Sequence, residues 1–370
     1  MIHLDDPRRP LDPALLDSRG GFAWWYVDAL DAQGDGLVCI WSWGLPFLPG
    51  DRAARLRGLP PRTGDRPSVN LAVYRAGRCV SYTLYELAPE SARWRDGVWT
   101  FGDCTFRWTT EGTRGRLEAT LDLPVPGSLD RLHGTIEAEG TLPVPEASPG
   151  PVPAHAWTPL LGPAHVRAEL GVGGRPLLSY DGPGYHDRNG SPLPLDELGL
   201  DHWTWGRALV GDELVIHYLN WPVDDGAPVF LVVRIGPDGG MRVHADVVPR
   251  LEGARRSWMG MRWWRRIRVD VDGEVLEIVH APPVDAGPFY LRARTTTRWR
   301  GREAPGWAEL CAPARIDLPR HRWLVGMAVD RELAARSAWL PLFAGPRRTR
   351  WRRLVASWCA PGLALRGTSR

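Results

Sequence analysis

The sequence predicts a nearly all-β protein with two barrel-like or sandwich-like domains and very little helix. Three observations lead to this fold class. The chain has 370 residues, which is too long for one ordinary hydrophobic core and suits two. Its 41 glycines and 35 prolines are spread along the whole length. Apolar and polar residues also alternate in many short segments, and turn-rich sequences of this kind are typical of barrels and sandwiches.

The individual strands follow from this alternation. Residues 116–123 (RLEATLDL) alternate apolar and polar positions, as a half-buried strand does. Residues 267–279 are predicted to form a hairpin with its turn at Asp272-Gly273, and a second hairpin turn is predicted at 237–240. Further strands are predicted near 26–43, 68–74, 80–86, 98–109, 165–170, 202–221, 229–235 and 288–297. Two short helices are predicted, at 51–57 and 330–340.

The boundary between the two domains is predicted after Pro194. Residues 143–163 are rich in proline and are expected to run extended across the surface. A fresh series of strands begins near residue 202. The sequence therefore predicts an N-terminal β-domain of residues 1–194 and a C-terminal β-domain of residues 195–370 that ends in a basic tail.

Tryptophan is unusually frequent, with 20 residues, and several tryptophans stand in doublets or alternating pairs. Core packing explains part of this number. Trp41 and Trp43 before Gly44 are echoed by Trp203 and Trp205 before Gly206. Residues i and i+2 of a strand lie on one face, so each pair is expected to line a barrel interior. The pairs favour a large aromatic cavity.

Several function classes are excluded by composition and motifs. The chain has no lysine, so its 46 basic residues are all arginine, which excludes Schiff-base chemistry and a P-loop lysine. The net charge of +3 does not call for a nucleic-acid partner. Metalloprotease, nucleophile-elbow and dinucleotide-binding motifs are absent, and the ten histidines lack metal-ligand spacing. We therefore expect no metal and no cofactor.

The sequence also bears on where the protein works. Its five cysteines contain no C-x-x-C pair, which indicates reduced thiols. The N-terminus has no apolar signal region, and no segment approaches the roughly 18 apolar residues of a spanning helix. We therefore expect a soluble, cytoplasmic protein. The arginine- and tryptophan-rich segment 347–358 is expected to be a solvated tail, with peripheral attachment to the anionic inner membrane as the alternative.

The segment most informative about function is 182–191 (GPGYHDRNGS). A turn would explain its Asp, Asn and Gly residues. However, its tyrosine, histidine, aspartate and asparagine are preceded by His155 and Trp157 and followed by Trp203 and Trp205. A proton donor surrounded by aromatic surface is the composition that a reaction through a carbocation needs.

On these residues the chain resembles the carotenoid 1,2-hydratases (hydroxyneurosporene synthases). These hydratases lie within the lipocalin-like double-barrel superfamily, which also includes tocopherol-cyclase-like and Diels–Alderase-like proteins. The blocks that carry the resemblance are 20–30 (GGFAWWYVDAL), 69–74 (VNLAVY), 155–157 (HAW), 184–189 (GYHDRN) and 203–208 (WTWGRA). Weaker likeness continues to about residue 350. The resemblance implies two lipocalin-like β-barrel or sandwich domains packed side by side.

The resemblance also implies a site. A His-x-Trp pair and a Tyr-x-Asp pair are proposed to catalyse the reaction in that family, and here they are His155, Trp157, Tyr185 and Asp187. The predicted substrate-binding residues are Trp24, Trp25, Tyr26, Trp41, Trp43, Asn70, His186, Asn189, Trp203 and Trp205. Consecutive strand residues face opposite sides, so at most one of Trp24 and Trp25 is expected to line the pocket.

The sequence departs from the family pattern at one place. The family usually continues Asp-x-Asn-Trp-Gly, whereas here Asn189 is followed by Gly190-Ser191. We therefore expect an altered pocket rim and a substrate that need not be the usual linear carotenoid.

The predicted reaction is hydration of a terminal C=C of a carotenoid or similar isoprenoid, without a cofactor. Burial against aromatic walls raises the pKa of a carboxyl group, so Asp187 is expected to stay protonated and act as the general acid. Tyr185 and His155 would hold or resupply the proton. Indole faces would stabilise the cation, at about 0.5–2 kcal/mol each. A water held by Asn189 or by the deprotonated Asp187 would complete the addition.

Two alternatives remain open on the same scaffold. One is a cyclase or pericyclase of secondary metabolism, in which the shape of the pocket matters more than an acid. The other is a non-catalytic carrier of a hydrophobic small molecule, as many lipocalin-like barrels are. In all three cases the expected partner is a carotenoid, isoprenoid or polyene. A nucleic-acid partner is not expected.

Overall fold

A computed structural model describes residues 2–145, 155–224, 226–245 and 247–347. Strands dominate this part of the chain, and no helix in it is both long enough and apolar enough to cross a bilayer. The strands of the first half are β1 (Ile2–Leu4), β2 (Phe22–Leu30), β3 (Gly36–Trp43), β4 (Ser68–Arg75), β5 (Arg78–Glu86), β6 (Ala92–Arg95), β7 (Val98–Phe101), β8 (Cys104–Glu111), β9 (Arg114–Pro124), β10 (Arg131–Thr141), β11 (Val144–Pro145), β12 (His155–Val172) and β13 (Arg175–Ser191).

The second half continues in the same way. Its strands are β14 (Leu200–Val210), β15 (Glu213–Pro222), β16 (Val229–Ile235), β17 (Gly240–His244), β18 (Arg250–Arg256), β19 (Arg262–Val271), β20 (Glu274–His280), β21 (Asp285–Ala286), β22 (Tyr290–Trp299), β23 (Arg302–Cys311), β24 (Asp330–Arg331) and β25 (Gly345–Pro346). The α-helices are α1 (Ala14–Asp17), α2 (Asp51–Leu56), α3 (Pro319–Met327) and α4 (Leu340–Phe343), and the 3-10 turns are Thr63–Asp65, Pro89–Ser91, Leu195–Glu197 and Pro313–Arg315.

The strands form two sheets. The first has 14 described strands, in the order β24-β5-β4-β3-β2-β13-β12-β10-β9-β8-β7-β6, with β1 on β12 and β25 on β5. The second has 11, in the order β11-β17-β16-β15-β14-β23-β22-β20-β19-β18, with β21 on β22. Each half thus lends short strands to the other sheet. The division into domains at 194 and 195 falls between β13 and β14 and stays a prediction.

Each sheet curls around a core of its own. Trp25 of β2 and Phe106 of β8 have ring centroids 5.4 Å apart, although four strands lie between β2 and β8 in the sheet. In the second sheet, the rings of His217 on β15 and His280 on β20 are 6.2 Å apart across three intervening strands. These two curled sheets confirm the predicted all-β fold class.

The outer faces of the two sheets pack against each other and form a third core, the seam. Side chains alternate along a strand, so every second residue of β2 faces the first core and the others face the seam. Trp24 and Tyr26 lie in the seam, opposite Trp203 and Trp205 of β14. The Tyr26 and Trp205 rings meet edge to face at 5.4 Å. The seam is the place where a cavity can be shared by both sheets.

The predicted local elements are confirmed except two. Residues 155–163, which were expected to run across the surface, instead lie largely buried in β12. The hairpin turn at Asp272-Gly273 joins β19 to β20 with φ of 56° and 78°, which is the conformation that a tight primed turn requires. The helix predicted at 330–340 is wrong. Asp330 pairs with Tyr85 in β5, and the Glu332 carboxylate accepts a hydrogen bond from the Ala88 amide at 2.8 Å. Tertiary pairing overrides helix propensity here.

Candidate active site

A cavity of about 240 Å³ lies in the seam between the two sheets. Its walls come from β2, β3, β4, β5 and β13 on one side and from β14, β15, β22 and β23 on the other. Helix α3 contributes Leu324 and Val325 to the lining. Most of the lining is aromatic or aliphatic, which suits a hydrophobic ligand.

Seven of the predicted site residues line this cavity. They are Trp24, Tyr26, Asn70, Asp187, Asn189, Trp203 and Trp205. Three strands supply most of them, because β2, β13 and β14 present alternate residues to the seam. The pairing of β13 with β2 sets Asp187 directly beside Tyr26. The sequence therefore predicted much of the aromatic wall and the carboxyl group of Asp187 on it.

Asp187 is the chemical centre of this arrangement. Its side chain is buried, its Oδ2 accepts a hydrogen bond from the Trp157 indole N–H at 2.9 Å, and its Oδ1 accepts one from the Asn189 amide at 3.1 Å. Burial raises the pKa of Asp187 to about 8, against the lowering effect of the Trp157 and Tyr185 donors. The carboxyl group is therefore largely protonated at neutral pH and can donate a proton into the cavity.

Tyr185, Trp157 and His155 surround the Asp187 carboxyl group from behind the cavity wall. The Tyr185 ring packs on Trp205 at 5.6 Å. Its buried hydroxyl lies near enough to lower the pKa of Asp187, although its geometry falls short of a hydrogen bond to any described residue. Trp157 presents its N–H to the acid, and its ring packs on Tyr218 at 5.2 Å. Trp157 is thus a hydrogen-bond donor to the acid, whereas we expected a ring face toward the cation.

His155 reaches the acid through Asn189. Its Nε2 lies 3.1 Å from the Asn189 side-chain oxygen, and the amide nitrogen of Asn189 donates to Asp187. Because the amide oxygen is an acceptor, the Nε2 atom of His155 carries the hydrogen. Burial lowers the pKa of His155 to about 4, so the ring is neutral at pH 7. His155 is thus linked to Asp187 through the Asn189 side chain.

Four predicted substrate-binding residues lie away from the cavity. Trp25, Trp41 and Trp43 pack in the core of the first sheet, where Trp43 contacts Phe101 at 4.4 Å. They face away because they occupy the strand positions that alternate with the seam residues. His186 also points away from the cavity, and its Nδ1 lies 2.7 Å from the Tyr26 carbonyl oxygen. As expected, only Trp24 of the Trp24-Trp25 doublet faces the cavity.

The altered rim predicted at Gly190 is not part of the cavity. A side chain at this position would point toward Leu11 and Leu15, on the side of the first core. The alternation of β13 places Gly190 opposite in direction to Asn189 and Asp187. The absence of a tryptophan at position 190 therefore leaves the cavity wall unchanged.

The sequence did not predict a buried polar network that includes Tyr26 and reaches the cavity wall. The Arg292 Nε donates to Glu309 Oε1 at 2.9 Å, and the Tyr26 hydroxyl lies 3.0 Å from the same oxygen. Tyr26 also lies 2.9 Å from the Asp28 carboxylate, which pairs with Arg207 across the two sheets. The charged residues within β22 and β23 were the available signal for this network. However, nothing in the sequence showed that these strands face β2.

The network continues through a second arginine-containing branch. The Tyr74 hydroxyl accepts from Arg292 at 2.5 Å and donates to Asp285 at 2.5 Å, and the Asp285 carboxylate lies 3.9 Å from Arg347. Arg292, Glu309, Asp285 and Arg347 all line the cavity. No group of three histidine, cysteine or carboxylate side chains in the described ranges is placed to hold a metal ion.

The fold and the site together define a class: a protein of two curled β-sheets with a buried carboxyl group on the wall of an aromatic cavity between them. Within this class the chain belongs to the carotenoid hydratase CrtC family, whose model matches residues 57–338. The family predicted from the sequence is thereby confirmed, and with it an enzyme of the hydratase type.

Similar proteins agree with this assignment. An acyclic carotenoid 1,2-hydratase of Thiocapsa roseopersicina is 28% identical over 81% of this chain and 70% of its own length. A protein named hydroxyneurosporene dehydrogenase from Chlorobaculum tepidum is 26% identical over 75% of this chain and 77% of its own. The crystal structure of an AttH protein from Nitrosomonas europaea has a TM-score of 0.57 at 16% identity, over 83% of this chain and 98% of that one. The last likeness concerns the fold alone.

Proposed function

We propose that this protein adds water to a terminal C=C of an acyclic carotenoid or similar isoprenoid, without a cofactor. The observation that carries the proposal is the buried Asp187 carboxyl group, whose pKa burial raises to about 8, on the wall of a cavity that is mostly apolar. An isolated alkene is a weak base, and its protonation needs an acid held at the reacting carbon. The named activity of the Thiocapsa relative supports the same reaction.

The residues suggest how the reaction proceeds. Asp187 donates its proton to the alkene, which leaves a tertiary carbocation beside the rings of Trp205 and Tyr26. The faces of these rings stabilise the cation at about 0.5–2 kcal/mol each. Water then attacks the cation, the proton that the water loses restores the protonated form of Asp187, and the alcohol leaves. Asn189 holds Asp187 in place through its amide, and His155 fixes the orientation of that amide.

Substitution of Asp187 tests this proposal. The Asp187→Asn variant keeps the size and the buried position of the side chain but has no acidic proton. We expect it to bind a carotenoid, as followed by quenching of tryptophan fluorescence, and to lose hydration by at least about 100-fold. Asp181→Asn, an exposed position on the same strand, is the matched control.

Product mass separates the alternatives. Hydration adds one water to the substrate, cyclisation leaves the mass unchanged, and a carrier releases the ligand unaltered. A cyclised product would contradict the proposed hydration, and so would full activity of the Asp187→Asn variant. The observation that had favoured a cyclase, an altered rim at Gly190, does not concern the cavity.

We propose further that the protein contacts an anionic membrane surface at the mouth of the cavity, where a hydrophobic substrate would be dissolved. Trp258 lines the cavity and is 55% exposed, and Trp323 of α3 is 57% exposed beside the lining residue Leu324. Arg255 and Arg256 on β18 are exposed next to Trp258. Exposed tryptophan with arginine is typical of peripheral binding to anionic lipid. The predicted tail lies, from residue 348, outside the described residues.

Vesicle sedimentation tests the membrane contact. Wild type is expected to sediment with phosphatidylglycerol vesicles and far less with phosphatidylcholine vesicles. The double variant Arg255→Ser/Arg256→Ser should weaken this binding, whereas Arg95→Ser, an exposed arginine on β6, should not. Equal binding to both lipids would contradict the proposal.

A further inference from the structure

The cavity contains a second carboxyl group that the proposed reaction has not used. Glu309 lies on β23, on the sheet that faces Asp187, and its side chain is 13% exposed. Its Oε1 accepts from the Arg292 guanidinium at 2.9 Å and lies 3.0 Å from the Tyr26 hydroxyl. The Arg292 guanidinium donates to this oxygen, and the single hydrogen of the Tyr26 hydroxyl is shared between Glu309 and Asp28.

The partners of the two carboxyl groups differ in charge. Asp187 receives hydrogen bonds from an indole and an amide, which are neutral, whereas Glu309 is paired with a guanidinium. The negative charge of Glu309 also contributes to the raised pKa of Asp187. Two carboxyl groups in one cavity, one with neutral hydrogen-bond partners and one paired with a guanidinium, are suited to serve as acid and base.

The aromatic pair of Tyr26 and Trp205 lies between these groups. Tyr26 is the cross-strand neighbour of Asp187 in the pairing of β13 with β2, and Trp205 is the cross-strand neighbour of Glu309 in the pairing of β14 with β23. The two rings touch at 5.4 Å. A cation formed at Asp187 would therefore lie on this ring pair, with Glu309 on its other side.

We propose that Glu309 is the general base of the hydration: it accepts the proton of the attacking water, while Arg292 and Tyr26 position it. This inference rests on the proposed function. In the first step a C–H bond forms at the alkene as the O–H bond of Asp187 breaks. In the second step the water oxygen forms the C–O bond, and one of its O–H bonds breaks as Glu309 takes the proton. The proton then returns to the Asp187 carboxylate, so the sum is alkene plus water giving alcohol.

The assignment separates two steps that isotope exchange can distinguish. In D₂O, Asp187 carries a deuteron. A variant without the base should still form the cation, which then returns a proton to Asp187 instead of capturing water. We expect Glu309→Gln to lose hydration by about 100-fold or more while deuterium still enters the recovered alkene. Asp187→Asn should show neither hydration nor exchange.

Controls keep the outcomes distinct. Glu303→Gln, an exposed position on the same strand, should leave both signals unchanged. Glu309→Asp keeps a negative charge beside Arg292 and replaces the glutamine variant in the test if that variant does not fold. We expect it to lower hydration at least tenfold and to retain deuterium exchange. Carotenoid binding, followed by tryptophan fluorescence, verifies that each variant retains its cavity.

The results bear differently on the two proposals. Normal hydration by Glu309→Gln or Glu309→Asp, with Asp187→Asn inactive, would overturn the role of Glu309 and leave the proposed function standing. Loss of both hydration and exchange in a Glu309 variant that still binds carotenoid would also overturn it, because Glu309 would then be needed for protonation. Activity in Asp187→Asn would overturn the proposed function itself.

Discussion

The Trp157 indole N–H donates a hydrogen bond of 2.9 Å to the Asp187 carboxyl group. Trp157 is fully buried on β12, where it pairs with Asn189 of β13. Asp187 lies two residues before Asn189 on the same strand. The bond stabilises the ionised form of Asp187 and thereby opposes the effect of burial. The pKa of about 8 is the balance of these two effects, and it keeps the acid both protonated and able to release its proton.

The pH dependence of the reaction follows from this pKa. Hydration needs Asp187 protonated, so kcat/KM should be constant near pH 7 and fall as the pH rises through about 8, with the slope of a single proton. Initial rates of alcohol formation between pH 6 and pH 9.5, in roughly half-unit steps, would show this limb. A limb near pH 4 instead would mean that Asp187 behaves as a solvated carboxyl group.

Removal of the Trp157 donor should move that limb. In Trp157→Phe the ionised form of Asp187 loses a stabilising hydrogen bond, so the pKa of Asp187 should rise. A hydrogen bond to a charged group contributes about 1.5–3 kcal/mol, which corresponds to a shift of about one to two pH units. The same rate measurements should show the limb at higher pH. A limb that stays in place would show that Trp157 does not control the acid.

Asp28 and Arg207 are expected to hold the two sheets together. Asp28 is on β2 and Arg207 on β14, both are almost fully buried, and the Arg207 Nε donates to Asp28 at 2.8 Å. Asp28→Asn leaves a guanidinium buried without its charge partner, so the free energy of unfolding in urea should fall by about 3–5 kcal/mol. Glu303→Gln, in an exposed ion pair with Arg298, should cost no more than about 1 kcal/mol.

Buried histidines should make the protein sensitive to acid. Burial lowers the pKa values of His155, His186 and His280 to about 4. The unfolded chain then binds more protons between pH 6.5 and pH 4, so stability is present above about pH 6.5 and is lost toward pH 4, by roughly 3 kcal/mol per histidine. The raised pKa values of Asp187, to about 8, and of Asp51, to about 6, act in the opposite sense, but they involve fewer groups than the buried histidines, whose number includes His217 with a pKa lowered to about 3.

Urea unfolding at pH 7 and at pH 5 would measure this loss. His280→Leu should reduce the difference in unfolding free energy between the two pH values, because one proton-binding group of the unfolded chain is removed. His165→Gln, at a position that is about half exposed, is the matched control. An unchanged difference in His280→Leu would contradict the assignment of acid sensitivity to the buried histidines.

The sequence predicted the acid and missed the proposed base for a physical reason. Tyr185, Asp187 and Asn189 stand on one strand at alternate positions, so local sequence brings them to one face. Glu309 and Arg292 reach the cavity through the pairing of β22 with β23 and the packing of two sheets, which involve residues far apart in the chain. Alternation alone assigns such charged strand residues to solvent.

The tryptophan pairs show the same limit. Each pair does lie on one face of its strand, as the i and i+2 spacing predicts. However, Trp41 and Trp43 fill the core of the first sheet, whereas Trp203 and Trp205 face the seam. The period of a strand determines which residues share a face, but the packing of the sheets determines which face borders the cavity.

The protonation state of Asp187 can be measured directly by infrared difference spectroscopy of wild type against Asp187→Asn. At pH 7 we predict the carbonyl band of a protonated carboxyl group in the wild type alone, disappearing with a midpoint near pH 8. If that band is missing at pH 7, or titrates near pH 4, Asp187 is ionised in the resting protein and cannot be the acid of this reaction.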